Sequence, residues 1–265
     1  MQNQNQQREE DLQRIRGLRL IDDDFMNACF DDNIEGTQLI LSIILSKKDI
    51  KVKSVKTQKV MKNLLGRDIW LDIDADDSEG KEYDIEIQRA DKGADRRRAR
   101  YHSSILDAHL LQPNDDFSLL PETYVIFITE NDVIGKGKPI YTIERQITNI
   151  GEAFGDGEHI VYVNGADKDS ATELGRLMHD FFCTNADDMY YKQLADKVRY
   201  FKEDEKGVAA MCKVMEDMRN EAIERERIEM AQDMIRDGEL SLEQIAKYTK
   251  LAIEKVKELK EMVIA

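Results

Sequence analysis

Cysteine, long apolar runs and positive net charge are scarce or missing in this 265-residue chain. Its cysteines, Cys29, Cys183 and Cys212, lie far apart, lack zinc-binding spacing and cannot all pair, which favours a reducing cytoplasm. No apolar run approaches the ~20 residues of a membrane span, and the N-terminus is polar rather than signal-like. We therefore expect a cytoplasmic protein without a membrane partner.

The net charge of −15 argues against a protein that coats nucleic acid through its overall field. Basic side chains nevertheless concentrate in the lysine-rich segment 47–62 and the arginine-rich segment 89–100. Such runs are commonly solvated faces of ordinary elements, but a local basic groove uses the same residues. Because the two segments flank an acidic one, both interpretations stay open.

The acidic segment alternates apolar and polar residues in two runs, as a β-hairpin does. Apolar side chains fall on one face of each run, and they are Ile69, Leu71 and Ile73 in the first and Tyr83, Ile85 and Ile87 in the second. Residues 76–80 between the runs are rich in Asp, Ser and Gly, which suit tight turns.

The register of this hairpin follows if its loop is centred on Glu79. Asp72 then faces Glu86, and Asp74 faces Asp84, with opposed Cβ atoms about 4.5–5.5 Å apart. Because like charges at that distance repel, the pattern predicts a divalent metal site. There are two alternatives: the carboxylates lie on a solvated sheet face, or a slip of one residue removes the pairing.

Periodicity assigns the rest of the chain to helices and strands. Before the hairpin we expect a frayed or helical lead-in, a helix over 24–30, a helix over 35–46 and a half-exposed strand over 50–60. After it we expect a helix over 93–111, a buried central strand over 123–129, strands over 140–147 and 160–163, and helices over 205–237, 242–248 and 253–262. Ser241 with Gln244 predicts a capping box.

These elements group into four segments. They are a polar lead-in (1–20), a core (21–165), a helical extension ending in a long amphipathic helix (166–237) and a small helix-turn-helix-like tail (238–265). The tail's two short helices are more commonly packing units than DNA readers, and no third helix is obvious there.

The core runs helix, strand, strand, strand, helix, strand, with Asp72 on the second strand and Glu86 and Gln88 on the third. This order and placement resemble the PD-(D/E)XK nuclease superfamily. The match narrows to the recombination-promoting nuclease and putative transposase (Rpn) family, including its bacterial members. It rests on segments 31–33, 71–73, 85–88, 98–102 and 120–129 and on the tail over 238–263. The resemblance implies an α/β (α+β) fold, with an αβββαβ core, a mixed central sheet flanked by helices and an all-helical C-terminal extension.

The resemblance also implies an endonuclease that uses Mg²⁺ or Mn²⁺ to cleave double-stranded DNA in recombination or mobile-element transfer. By motif, Asp72 and Glu86 would be the metal ligands, with the backbone carbonyl of Ile87 as a further one. Gln88 would take the place of the superfamily's lysine, which is typical of the Rpn family. Glu35, on the first helix, matches the position where the superfamily often adds an acidic ligand. Leu71 stands where the family name has proline, a common departure.

These residue types suit phosphodiester hydrolysis. Carboxylates hold Mg²⁺ beside phosphate oxygens, where it lowers the pKa of an attacking water and neutralises the charge that builds on phosphorus. Gln88 makes only neutral hydrogen bonds, so we expect it to orient this water rather than activate it.

The helix after the hairpin adds candidate DNA contacts. Arg98 and Tyr101 sit three residues apart and share a face, and together with Arg97 we expect them to contact the scissile or a neighbouring phosphate. Alternatively, Arg98 balances the acidic hairpin as a structural ion pair. His102 and His109 on the same helix are expected to pack rather than to bind zinc.

Two other functions fit the sequence. In the first, the nuclease-like core is silent and the methionine-rich residues 205–235 bind a partner or form a homodimer. In the second, the nuclease is held inactive by an inhibitory partner or by its own acidic C-terminal tail acting as a DNA mimic. The net charge favours the first of these. Intact Asp72, Glu86 and Gln88 favour the enzyme.

Overall fold

The computed structural model describes residues 2–63, 66–89 and 91–264. The helices are α1 (Gln2–Gly17), α2 (Asp23–Phe30), α3 (Ile34–Ile44), α4 (Arg96–Leu110), α5 (Glu173–Phe182), α6 (Lys192–Glu203), α7 (Glu205–Asp237), α8 (Leu242–Thr249) and α9 (Ile253–Ile264). The strands are β1 (Val52–Met61), β2 (Ile69–Asp77), β3 (Glu82–Gln88), β4 (Thr123–Thr129), β5 (Ile140–Ile143), β6 (Gln146–Ile147), β7 (Glu152–Ala153) and β8 (Glu158–Asn164). The frayed end expected of the lead-in falls on Met1, outside the described residues.

One mixed sheet organises the first part of the chain, with strand order β1-β2-β3-β4-β8-β5. The strands β1, β2 and β3 are antiparallel neighbours, β4 is parallel to β3 and to β8, and β5 is antiparallel to β8. Helix α4 provides the crossover from β3 to β4, because parallel neighbours cannot be joined by a tight hairpin. From α3 to β4 the order is therefore αβββαβ, and the predicted mixed α/β fold class is confirmed.

Helix α4 covers the middle of this sheet. Ala99 and Leu106 of α4 pack with Val125 and Phe127 of β4 in one apolar cluster. All seven residues of β4 are buried, as its near-continuous apolar sequence predicts. Because β3 lies between β2 and β4, this packing also places α4 over the hairpin carboxylates.

Helices α2 and α3 pack against β1, which is the strand at one edge of the sheet. The side chain of Asn33 caps α3 by accepting a hydrogen bond from the backbone N–H of Gly36 at 3.0 Å. Aromatic pairs then join α2 to the later helices. The ring centroids of Phe30 and Phe181 lie 6.2 Å apart, and those of Phe25 and Phe201 lie 6.4 Å apart.

The chain divides into two compact units, Met1–Val208 and Ala209–Ala265. In the second unit, Ala231 of α7 packs with Ile245 of α8 and with Val256 and Leu259 of α9. The end of α7 is thus the third helix that the sequence did not reveal. The segment boundaries expected at residues 20, 165 and 237 stay predictions. Among the described helices, none is both long and apolar enough to cross a membrane.

Three local predictions can be compared directly with the structure. The capping box is confirmed, since the Ser241 hydroxyl accepts from the Gln244 N–H and the Gln244 side chain accepts from the Ser241 N–H. The helix expected over 93–111 begins later, because the Asp95 side chain accepts from the backbone N–H of Arg97 and starts α4 at Arg96. The strand expected over 140–147 is wrong as one element. It ends at Ile143, and residues 146–147 pair instead with residues 152–153.

Candidate active site

The β2–β3 hairpin has the predicted register, with Asp74 opposite Asp84 and Ile73 opposite Ile85. The backbone ladder ends at Ile73, and beyond it Asp72 and Glu86 are joined to the opposite strand through their side chains. The backbone N–H of Asp72 donates to Glu86 Oε1 at 3.2 Å, and the N–H of Ile87 donates to Asp72 Oδ2 at 2.8 Å. Each carboxylate is therefore fixed by the backbone of the opposite strand, and the two acids are held side by side.

The hairpin carboxylates are buried rather than solvated. Asp84 and Glu86 are both 0% exposed, Asp74 is 8% exposed, and Asp72 is half-buried. The alternative of a solvated sheet face is therefore wrong, because α4 covers the polar face of β3. Burying a charged carboxylate is costly unless a cation or strong hydrogen bonds compensate it.

The pKa values of these acids reflect that cost. Burial raises the pKa of Asp72 to about 6, and the charge of Asp23 acts in the same direction. Burial also raises the pKa of Asp84 well above its usual value, and the Asp72 charge adds to this. The pKa of Glu86 rises for the same reasons, first burial and then the neighbouring Asp84 and Asp72 charges. The site therefore disfavours full ionisation unless a cation is present.

Helix α4 supplies the groups that face these acids. Arg98 donates to Glu86 Oε2 at 2.7 Å, and the Nδ1 atom of His102 lies 2.9 Å from Asp84 Oδ2. Arg98 and His102 are four residues apart, so they share one face of the helix. The sequence placed Asp84 opposite Asp74 in the hairpin and expected His102 to pack, but the motif assigned neither residue to the site. The spacing of His102 from Arg98, and of Asp84 from Glu86, was the signal that could have found them.

The tautomer of His102 follows from its two contacts. Arg98 Nε lies 3.3 Å from His102 Nε2, and an arginine can only donate, so Nε2 accepts. Nδ1 then carries the proton and donates to Asp84. Burial lowers the pKa of His102, which fits a neutral ring. Asp84, Glu86 and His102 lie close enough to hold a metal together. Because the Nε2 lone pair is already used by Arg98, we assign His102 to orient Asp84 rather than to bind a metal.

Two buried oxygens show that the cluster is incomplete by itself. Among the described residues, Asp84 Oδ1 and Asp74 Oδ1 have no hydrogen-bond partner. The other oxygen of Asp74 pairs with Lys59 at 2.7 Å, so this acid is neutralised. Buried carboxylate oxygens are otherwise nearly always satisfied. The donor set consists of hard oxygens, which suits Mg²⁺ or Mn²⁺.

The remaining motif residue, Gln88, ends β3. Its amide nitrogen lies 3.5 Å from Glu86 Oε2, at the limit of a hydrogen bond. A Cβ atom at Gly93 would lie only 1.9 Å from Gln88 Oε1. Any residue larger than glycine at position 93 would therefore push the Gln88 amide away from its place beside Glu86.

The structure does not bring Glu35 to the cluster. Glu35 is exposed on α3 and lines a separate cavity of about 590 Å³ with Lys192 and Asp196. The acid that does approach is Asp23, in the first turn of α2, whose charge acts on Asp72. Both acids begin a helix, and the sequence does not indicate which helix start lies at the sheet.

The candidate DNA-contacting residues lie around a cavity of about 890 Å³ beside α4, and these are Arg97, Arg98 and Tyr101. Arg97 is exposed, whereas Arg98 already pairs with Glu86. The Tyr101 hydroxyl donates to the backbone carbonyl of Arg67 at 2.7 Å, so its single proton is not free for a phosphate. Tyr101 thus anchors the chain before β2 to α4.

Comparison with known proteins places this chain in a family. A family model described as PD-(D/E)XK nuclease family transposase matches residues 25–245. The matched region contains the whole hairpin, α4 and β4, together with most of the following helices. Searches of curated proteins and of solved structures each find no match. With most of its length matched, the chain belongs to the PD-(D/E)XK nuclease family of transposases.

Proposed function

We propose that this protein is a metal-dependent endonuclease that hydrolyses phosphodiester bonds in double-stranded DNA, in recombination or mobile-element transfer. One observation carries the proposal: when its acids are ionised, the buried cluster lacks the charge of one divalent cation. Asp72, Asp84 and Glu86 bring three negative charges when ionised, and Arg98 brings one positive charge. His102 is neutral and Asp74 is balanced by Lys59, so two negative charges remain.

In this proposal Asp72 and Glu86 hold Mg²⁺ or Mn²⁺, and the backbone carbonyl of Ile87 is a further ligand. Asp23, rather than Glu35, is the additional acidic ligand that a helix contributes. When bound, the ion lowers the pKa of the attacking water and neutralises charge on the phosphate. Gln88 orients that water through its amide, which is neutral and therefore positions without activating.

Arg98 and His102 keep the ligands in place. Arg98 holds one oxygen of Glu86, and His102 holds one oxygen of Asp84. Groups that orient metal ligands in this way commonly change metal affinity or activity by about 10–100-fold when they are removed. Arg98 is 38% exposed and lines the neighbouring cavity, so a DNA phosphate can reach it. The ion pair and the phosphate contact are therefore compatible roles.

Plasmid nicking tests the proposal. Purified protein is incubated with supercoiled plasmid at low salt in Mg²⁺, in Mn²⁺ and in EDTA, together with Asp72→Ala and Glu86→Ala. Glu79→Ala is the matched control, because Glu79 is an exposed acid in the loop of the same hairpin. We expect metal-dependent cleavage that both site variants lose and the control keeps. Absence of cleavage by the wild type in either metal would reject the proposal.

A nuclease inhibited by its own acidic tail is less well supported than the active enzyme. Residues 209–265 contain thirteen acidic and ten basic residues, a net charge of −3 out of −15 for the whole chain. Most of the negative charge therefore lies outside this unit, and a DNA-mimic role has little charge to act with. Truncation after Glu203 measures any inhibition directly. Cleavage that rises several-fold on truncation would restore the inhibited state as the better account.

A further inference from the structure

The 890 Å³ cavity lies between the start of β2 and the first half of α4, next to the carboxylate cluster. We call it the tryptophan cleft. The residues that line it include Arg67, Asp68, Trp70, Arg97, Arg98 and Arg100. Arg98 also pairs with Glu86, so one side chain belongs to both the cleft and the cluster. Whatever occupies the cleft therefore lies beside the proposed reaction centre.

Trp70 is the feature of the cleft that phosphate binding alone does not explain. It is the single tryptophan of the chain, and it is 52% exposed. Among the described side chains, no aromatic ring or cation stacks on its indole. Trp70 lines the cleft together with Arg98, whose guanidinium group pairs with Glu86.

The cleft is also a basic patch on an acidic protein. Arg67, Arg97 and Arg100 are exposed, and within the described part of the chain no carboxylate pairs with their guanidinium groups. Asp68, the acid of the lining, is neutralised by Lys62 at 2.9 Å. A chain with net charge −15 repels DNA overall, so binding must depend on local sites of this kind.

We propose that the tryptophan cleft binds an unpaired nucleotide next to the scissile phosphate, with its base stacked on Trp70 and its flanking phosphates held by Arg67, Arg97 and Arg100. This inference rests on the proposed function and narrows its substrate to DNA with an unpaired stretch, such as an overhang or a bubble. A paired base presents only its edge in a groove, whereas an unpaired base offers a whole face to an aromatic ring. Every base can stack on an aromatic ring, so the cleft distinguishes unpaired from paired nucleotides rather than one base from another.

The test measures binding in EDTA, where hydrolysis is blocked. Two labelled hairpin DNAs are compared at low salt, one blunt and one carrying an unpaired four-thymidine tail. Fluorescence anisotropy gives the affinities, and the emission of Trp70 reports stacking without interference because no other tryptophan is present. The variants are Trp70→Ala, Trp70→Phe and Phe117→Ala. Phe117 is 87% exposed outside the cleft and controls for loss of an exposed aromatic.

We expect the tailed hairpin to quench Trp70 emission and to bind on the order of 10-fold more tightly than the blunt one. Trp70→Ala should remove this preference, whereas Trp70→Phe and Phe117→Ala should keep most of it. Equal affinity for both hairpins in the wild type, without quenching, would overturn the inference. If plasmid nicking still occurred in that case, the proposed nuclease would stand without the cleft. Tail-dependent quenching without any nicking would support the cleft and reject the nuclease.

Discussion

Arg98 donates a 2.7 Å hydrogen bond to Glu86, a carboxylate that is completely buried. The same guanidinium group contacts His102, which in turn holds Asp84. One arginine therefore supports both fully buried acids of β3, Glu86 directly and Asp84 through the imidazole. Losing the partner of a buried charge costs more than losing an exposed ion pair, because the remaining charge stays desolvated.

The first prediction concerns the stability of Arg98→Ala. We expect the metal-free variant to lose about 1–3 kcal/mol of unfolding free energy, a range reduced from the fully buried case because Arg98 is partly exposed. Mg²⁺ should restore part of this loss, since a divalent cation supplies the missing positive charge to Glu86. Urea unfolding with EDTA and with Mg²⁺ measures both quantities.

Arg97→Ala is the matched control for that measurement. Arg97 is the neighbouring arginine, it is exposed, and its guanidinium group has no carboxylate partner among the described residues. Surface substitutions of this kind usually change stability by less than about 0.5 kcal/mol. If Arg98→Ala were no more destabilising than Arg97→Ala, the guanidinium group would not support the buried acids as we argue.

The second prediction concerns pH. The pKa of Asp72 is raised to about 6, so between the unfolded value of about 4 and this folded value the native state binds more protons than the unfolded state. The stability of the metal-free protein should therefore fall as pH rises from about 4 through 6. In Asp72→Asn the loss of unfolding free energy over this pH range should be smaller by about 1–3 kcal/mol, because the substitution removes one ionising group. Thermal unfolding in EDTA across pH 4–8 measures the difference between the two proteins.

Divalent metal should reverse this dependence. Metal ligands must lose their protons before they bind, so Mg²⁺ should raise the unfolding temperature at pH 8 and have little effect at pH 5. Asp72→Asn should reduce the Mg²⁺ effect at pH 8. A wild-type protein equally stabilised by Mg²⁺ at both pH values would show that the ion acts somewhere other than the carboxylate cluster.

The hairpin could be predicted because its information is local. Strict alternation and the turn residues before Gly80, whose φ of +84° suits glycine, fix both the faces and the register. The burial of Asp84 could not be predicted in this way. It depends on α4 covering the polar face of β3, and an alternating pattern does not reveal whether its polar face is covered.

The helix acid shows a second limit of sequence reasoning. Glu35 follows a capping asparagine at the start of α3, and Asp23 starts α2, so both sit in similar local sequence. Only the packing of α2 near β2 distinguishes them, and this packing depends on Phe25 and Phe30 meeting the much later helices α5 and α6. Contacts between such distant parts of the chain leave no periodic pattern.

The third prediction separates two roles for His102. If the ring orients Asp84, His102→Asn should retain part of the activity, because an amide can still donate a hydrogen bond to that carboxylate. His102→Ala should weaken Mg²⁺ binding by about 10–100-fold and lower cleavage accordingly. Calorimetric titration of Mg²⁺ with each variant measures the affinity. Equal losses in both variants would instead indicate that the imidazole is itself a metal ligand.

The fourth prediction uses the contact between Gly93 and Gln88. A methyl group at position 93 would overlap Gln88 Oε1, which is the far end of a flexible side chain. Gly93→Ala should therefore fold normally but displace the Gln88 amide from the attacking water. We expect kcat to fall about 10-fold or more, as for Gln88→Ala, with a small change in KM, since the metal ligands stay in place.

A double-mutant cycle tests whether the glycine acts through the glutamine. If Gly93→Ala works only by moving Gln88, then adding it to Gln88→Ala should cause little further loss of kcat. Gly17→Ala is the control, because a Cβ atom at Gly17 meets nothing within 4 Å. Fully additive losses in the double variant would mean that Gly93 affects cleavage by another route. Gln88 would then have no demonstrated part in orienting the water, and the absence of the superfamily lysine would need a different chemical explanation.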